Sequence, residues 1–433
     1  MTQAAATSWS KRLVDKVTCP NCWFVFPPED IYFISERTDT MGDPVLGTNE
    51  FMRFSPTRFT VRGEAVGPKG AISSKYACPH CHLQIPAALL ELPPLFISLV
   101  GSPASGKSYF LTTMTAKLRE FLPRTCLDFN DADPELNTAI KQYEETLFHN
   151  PAPNELTEIR KTQVDDRLLH KMVRLDDADM RFPLPLQFRI WPTPSHPNYD
   201  QAHRIGRVLV LYDNAGEDFL PGMASESTSS AVKHLACSDI VMVLFDPTQE
   251  PRLAHLCRSN DPQLAHGLRP NGQSRVMVSQ TTLLHEMALR TRRYMSVSQT
   301  ERFKKPLLVI LPKFDILAGI EGISLDLDDE PYSWSDTAKG VRLNTAKVEQ
   351  VSDIIQALLR RHCPDFVSTA EGFSSLVKYI PVSSLGRSPV LVEPAKEPHF
   401  YGICPRDIKP KWVTVPLLYC LTKWAEHLLA AKG

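Results

Sequence analysis

The chain has 433 residues, a formal net charge of −1, 43% hydrophobic and 22% charged residues, enough for about two or three domains. That composition buries a sizeable core and excludes a chain disordered throughout. The balanced charge excludes a global pull towards nucleic acid or anionic membrane, although a local basic cluster is compatible with it.

Met1 to Val17 carries no apolar core of the roughly 7–15 residues a secretory signal needs. No window reaches the roughly 18 apolar residues that cross a bilayer, and the run ending at Val100 is broken by Glu91, Pro93 and Pro94. A cytoplasmic, reducing setting is expected, in which the ten cysteines are metal ligands and free thiols rather than disulfides.

Cys19-Pro20-Asn21-Cys22 and Cys78-Pro79-His80-Cys81 form two C-P-x-C knuckles. Each presents two thiolates from a tight turn, and together Cys19, Cys22, Cys78 and Cys81 make a tetrahedral four-thiolate set for Zn2+. His80 and His82 are substitute ligands only if that set has a vacancy. A closed four-cysteine site is structural, with no open position for a substrate. Between the knuckles lie 55 residues, beyond the roughly 15–20 of an ordinary ribbon. Alternation in Phe51–Phe54 and Arg58–Arg62 predicts either a β-rich insertion or strands that extend the ribbon. Pro93-Pro94 closes this first module, residues 1–92; a second domain spans 93–433.

Leu95–Val100 is a short apolar run and predicts a buried strand. It enters Gly101-Ser102-Pro103-Ala104-Ser105-Gly106-Lys107-Ser108, which fits G-x-x-x-x-G-K-[ST], the phosphate-binding pattern. Gly101 and Gly106 permit backbone conformations closed to other residues, so the loop amides can converge on an anion. Lys107 reaches the β- and γ-phosphates and the Ser108 hydroxyl ligates Mg2+. Phe110, Met114, Leu118 and Phe121 then recur at helical spacing, and the N-terminal end of that helix, with Tyr109 in its first turn, faces the phosphates.

A largely helical region is predicted over about 125–182. One helix starts at Asp133-Pro134 and carries Leu136, Ile140, Tyr143 and Leu147; a second carries Leu168, Leu169, Met172 and Val173. Leu184–Trp191 and Arg207–Tyr212 read as strands. The second ends in Asp213-Asn214-Ala215-Gly216, where the acid can join the Mg2+ shell and the glycine lets a backbone N–H approach the γ-phosphate. Further strands at Ile240–Phe245, Pro306–Leu311 and Leu376–Val382 alternate with helices near Thr281–Arg293, Ala346–Arg361 and Val415–Ala430. Alternation predicts an α/β fold, a mostly parallel sheet with helices on both faces, its ligand at the carboxyl ends of the strands.

In order the chain shows Gly101–Ser108, Asp213–Gly216, Pro312-Lys313-Phe314-Asp315 and Ser383-Ser384-Leu385. This series resembles that of P-loop GTPases of the translation-factor and Ras-like class, over about residues 94–433. The resemblance implies GTP/GDP with Mg2+ as ligands. It also implies that Asp315 pairs with the guanine N1 and N2 hydrogens, that Lys313 lies along the base, and that Ser383, Ser384 and Leu385 supply a backbone contact to the guanine oxygen. Pro312 stands where that family carries Asn or Thr and offers no side-chain hydrogen bond. Glu217 stands where Ras-like proteins carry the Gln that orients the attacking water; it can orient that water or accept its proton. Lys107 and Asp213 are 106 positions apart, so the inserted region occupies the place of switch I, with Thr162 or Thr157 as its Mg2+-sensing threonine. With the zinc ribbon, the chain is similar to the bacterial double-GTPase (DO-GTPase) group. That likeness implies a protein partner, an effector or a second GTPase, and a link to conflict with phages.

The expectation is a GTP-binding switch with slow hydrolysis. Two alternatives belong to other classes. One is a nucleic-acid-binding module using the ribbon and the basic segment Arg290, Arg292, Arg293, Lys304 and Lys305; the other is an ATPase with an altered base site. Arg204 and Arg207 are candidates for an arginine finger or for structural ion pairs.

Overall fold

The computed structural model describes residues 13–159, 166–175, 178–215, 219, 226–257, 261–262, 264, 279–317, 320, 325–335, 340–392, 400–425 and 427–429. The chain builds a mixed α/β structure around one seven-stranded, mostly parallel sheet. Its strands are β1 (Pro94–Gly101), β2 (Leu127–Asp131), β3 (Leu186–Pro192), β4 (Arg207–Ala215), β5 (Ile240–Leu244), β6 (Leu307–Leu311) and β7 (Val377–Pro381). The spatial order is β2-β3-β4-β1-β5-β6-β7. β4, β1, β5, β6 and β7 run parallel to one another, and β3 is antiparallel to both β2 and β4.

The apolar runs explain the parallel strands. Every residue of β5 and β6 is buried, as expected where a parallel sheet is covered on both faces. Register then aligns the carboxyl ends: Leu99 pairs with Asp213, Val100 with Asn214 and Gly101 with both Ala215 and Leu244. The tip of β4 is thereby fixed beside the root of the loop that leaves β1.

That loop leads into α1 (Lys107–Phe121). Phe110, Met114, Leu118 and Phe121 are buried in the core as their spacing predicts. Thr112, Thr113 and Thr115 are also buried, and each hydroxyl donates back to a carbonyl one turn earlier, which satisfies it inside the helix. The other long helices are α2 (Thr138–Phe148), α3 (Glu226–Cys237), α4 (Gln280–Met295), α5 (Thr345–His362), α6 (Pro364–Phe373) and α7 (Val415–Trp424).

Part of the predicted helical region is β structure. Leu127–Asp131 is the edge strand β2, with Leu127 and Phe129 buried and Asp128 and Asn130 exposed. Met172 and Val173 lie on the hairpin His170–Leu175/Ala178–Pro183, and the helix before them is confined to Asp166–Leu169. The reason is tertiary: Val173 and Phe182 are buried in the core of the N-terminal module, and Arg174 N–H donates to the Val45 carbonyl at 2.8 Å. α7 also stops at Trp424 rather than Ala430.

In the N-terminal module, each knuckle sits in its own hairpin, Val17–Thr18/Val25–Phe26 and Tyr76–Ala77/Gln84–Ile85. Both expectations for the intervening segment are met. Tyr32–Ile34 and Arg53–Phe54 extend the second hairpin into a four-stranded sheet, while 41–51 and 58–73 form two small separate sheets. The module's core is shared with Phe96, Val208, Val210 and Tyr212 of the central sheet.

Candidate functional site

A cavity of about 330 Å3 opens at the carboxyl ends of β1, β6 and β7. One wall is the whole loop and first turn Gly101–Tyr109. A second is Pro312, Lys313, Asp315, Ser384 and Leu385. The phosphate-loop pattern and the proposed base-reading motifs, which begin more than 200 positions later in the sequence, therefore line one space.

The loop's glycines are required by contact and by conformation. A Cβ at Gly101 would lie 2.7 Å from Ser105 Oγ and 3.0 Å from Leu244 Cβ. Gly106 caps α1 at φ +85°, a region that favours glycine. Ser105 Oγ at one end of the cavity and Ser384 Oγ at the other are buried without a hydrogen-bond partner. Such orphans are costly.

Lys107 is buried, and its ammonium donates to the Asn214 carbonyl at 2.5 Å and pairs with Asp213 Oδ1 at 3.2 Å. The acid of the D-x-x-G motif thus stands directly behind the loop lysine. Gly216 and Glu217 lie outside the described residues, as does Thr162. Thr157 is described: it exchanges backbone bonds with Ile403 at 3.0 Å each way, in a bridge that also brings Glu158 and Ile159 to the cavity wall. Tyr109 holds that bridge, its phenol oxygen accepting the Ile159 N–H at 2.9 Å; burial pushes its pKa up to about 12.

At the other end, the Ser383 hydroxyl donates to Asp315 Oδ1 at 2.5 Å and accepts the Gly386 N–H at 2.9 Å. Burial raises the Asp315 pKa above its ordinary value, against the lowering effect of the Ser383 bond. Nearby Asp261, also on the cavity wall, adds to the rise. The Ser384 N–H donates to the Pro312 carbonyl at 3.3 Å, so this proline contributes only backbone.

Sequence reasoning missed Asp246 and Gln249. Asp246 follows β5 as an acid at the tip of an apolar strand, the same signal that marks Asp213. Its carboxylate is fully buried and pairs with Lys313 Nζ at 2.6 Å. Gln249 accepts from Ser102 Oγ and donates to the Pro103 carbonyl, each at 2.8 Å.

The four knuckle sulfurs lie within 4.8 Å of one another and all four cysteines are buried. Cys19 Sγ–Cys81 Sγ and Cys22 Sγ–Cys78 Sγ are each 3.7 Å, close to the edge of a tetrahedron whose metal–sulfur bond is about 2.3 Å. The two knuckles repeat each other. Asn21 N–H and His80 N–H each approach the first sulfur of their own turn at 3.4 Å. Trp23 and His82 each follow in the left-handed region, at φ 63° and 59°. The His82 imidazole pairs with Asp43 at 2.9 Å, and His80 stacks on Phe24. The cysteines alone complete the cluster, which suits a metal ion.

Other candidates do not converge on the cavity. Arg207 Nη1 donates to the carbonyls of Arg204 and Gly206. In the basic segment Arg290 pairs with Glu286. Arg292 donates to the Glu301 and Gly372 carbonyls, and Lys305 to those of Ala236 and Ser238. Those three cations serve the fold. Among the described residues no helix is long and apolar enough to cross a membrane.

No family model matches the chain. A relative from Mycolicibacterium smegmatis, "Putative ESX-1 scaffolding and assembly protein SaeC", is 24% identical over 357 residues, covering 78% of each chain. Two crystal structures of SsGBP mutation variants are 13% and 14% identical and cover 68% of this chain, each at a TM-score of 0.23. This chain spans about half the length of those two, 50% and 51%, and similarity at that score carries no argument about fold or function.

Proposed function

We propose that the chain is a GTP-binding switch with slow GTP hydrolysis, engaging a partner protein in one nucleotide state. The reading rests on one observation: Gly101–Tyr109 and the Lys313, Asp315 and Ser384 motifs line a single cavity. Bound Mg2+·GTP supplies a divalent charge and a γ-phosphoryl group open to attack by water. Ser108 and Asp213 would supply oxygen ligands of the kind Mg2+ takes. Lys107 and the amides of Ser102 and Ala104–Lys107 neutralise and orient the phosphates, Pro103 having no N–H to give. Asp315 accepts from the guanine edge. Glu217, the next residue after the D-x-x-G motif, orients the water or takes its proton. Zn2+ in the four-cysteine cluster is structural and fixes the knuckles.

The switch follows from Lys107. Phosphate competes for an ammonium now held by Asp213 and the Asn214 carbonyl, so loading alters the tip of β4. The output surface is a protein partner, an effector or second GTPase, in keeping with the DO-GTPase resemblance. A scaffolding role like the one in the SaeC name fits the same output, and phage conflict is one setting for it. An ATPase is the second reading, favoured by Pro312 in the base wall. Phosphate release from GTP, with and without Lys107→Ala, tests the proposal. Slow release that the substitution abolishes supports it; unchanged release in the variant refutes it.

A further inference from the structure

We infer that Asp246 and Gln249, at the tip of β5, are positioning residues that lock the phosphate loop to the base-reading loop of the nucleotide site, a role in which Pro312 has no side-chain donor to offer. The inference rests on the nucleotide-binding reading above and names residues that no motif assigns.

Three consecutive loop residues are each held by this cluster. Ser102 Oγ donates to Gln249 Oε1, and Gln249 Nε2 donates to the Pro103 carbonyl, both at 2.8 Å. The Ala104 carbonyl accepts from Lys313 Nζ at 3.3 Å. The two halves close through Asp246. Its Oδ2 takes Lys313 Nζ at 2.6 Å and Gln249 Nε2 at 3.1 Å, while its Oδ1 takes the Thr248 N–H and hydroxyl at 2.9 and 2.7 Å.

Lys313 Nζ donates to Asp246, to the Ala104 carbonyl and to Thr248 Oγ1, the last at 3.4 Å. With its head fixed, the lysine stem crosses the phosphate loop: Lys313 Cε is 3.7 Å from where a Gly106 Cβ would stand. A stem so held offers a flat methylene wall to a planar base. Asp246 is itself anchored, its N–H donating to Gln280 Oε1 at 2.6 Å and its carbonyl accepting from Gln280 Nε2 at 2.9 Å. The ring therefore sits on the sheet and on α4, independent of any ligand, and the phosphate and base walls are set at a fixed spacing before a nucleotide arrives.

The test compares wild type, Gln249→Met, Ser102→Ala and their double variant, with Asp246→Asn as the charge-removing counterpart. Dissociation of a fluorescent guanine nucleotide, competition by inorganic tripolyphosphate, and the thermal midpoint of the free protein are read on each. Gln249→Met is expected to speed nucleotide dissociation roughly tenfold and to weaken tripolyphosphate, and to lower the free protein's midpoint, since the Ser102 hydroxyl and the Pro103 carbonyl lose a buried partner. Ser102→Ala on that background should add almost nothing, because the Ser102 side chain reaches the cluster through Gln249. Asp246→Asn should lose base discrimination as well. Wild-type dissociation rates in Gln249→Met, or additive effects of the two substitutions, overturn the inference. A wild-type protein that binds ATP but not GTP defeats the guanine reading alone, since the same variants then decide the positioning role with ATP. Binding of no triphosphate and no tripolyphosphate defeats both.

Discussion

Tyr212 donates its phenolic hydroxyl to the Pro20 carbonyl at 2.6 Å, one residue before the acid that pairs with Lys107. The first knuckle is thus bonded to β4, the strand whose Asp213 pairs with the loop lysine. It also grips the helix after the D-x-x-G segment. Lys233 Nζ on α3 donates to the Cys22 carbonyl at 2.8 Å, and the Trp23 ring lies against Phe96, Tyr212 and His234 at 4.4, 5.7 and 6.3 Å. The four-cysteine module is in contact with both flanks of the segment that, on the proposed reading, a γ-phosphate would reorder.

Tyr212→Phe should therefore cost about 1–3 kcal/mol, because it leaves a buried carbonyl unpaired while keeping the ring. Urea unfolding of the zinc-loaded protein measures this, and a wild-type midpoint would show that the bond does not tie the module down.

One zinc per chain is expected, and Cys78→Ser should lose it together with the packing of the knuckles on β4. Elemental analysis with a thermal melt reads both. Stability indifferent to a strong chelator would remove the structural role assigned to the cluster.

Asp315→Asn replaces an acceptor-only carboxylate by an amide that both donates and accepts. Affinity for GTP should fall roughly tenfold to a hundredfold, from the loss of charge-assisted bonds, while a xanthine nucleotide, with a carbonyl at the same edge, should lose less or gain. Equal losses for both would mean that Asp315 does not read the base.

The raised Asp315 pKa gives a signed pH dependence. In the free protein the neutral acid is favoured, so this group's contribution to stability is present below its unfolded value, near 3.8, and lost as pH rises through the folded value. Guanine binding needs the carboxylate and runs the other way: affinity should climb as pH rises through that raised value and then level off. Asp315→Asn should flatten the climb, and ATP, which lacks the N1–H, should show less of it. A GTP titration series across acidic pH decides the point.

Much of this site is legible in the sequence because its strands are buried on both faces. Val208–Leu211, Ile240–Leu244 and Leu307–Leu311 are apolar runs whose ends mark where ligand groups emerge. The misses have one local cause and several non-local ones. β2 is five residues long, and its alternation of Leu127 and Phe129 with polar neighbours is too short to outweigh helix-forming surroundings. Val173 and Phe182 are strand residues because the N-terminal module covers them, which nothing within the hairpin encodes. Asp246 was legible on the criterion applied to Asp213, an acid at a strand tip; what hid it was the partner, Lys313, which follows the next strand of the sheet. Glu158, Arg387 and Tyr401 reach the cavity around the Thr157–Ile403 bridge, a pairing between segments with no motif.

Calorimetric titration of the full chain with GTP, GDP and ATP, with and without Mg2+, decides whether the cavity holds a guanine nucleotide. One guanine nucleotide per chain is expected, with GTP tightened by Mg2+ and ATP at least about tenfold weaker, the share of a base-edge hydrogen-bond pair. No heat with any of the three at millimolar concentration, or binding that Lys107→Ala leaves intact, would contradict that expectation.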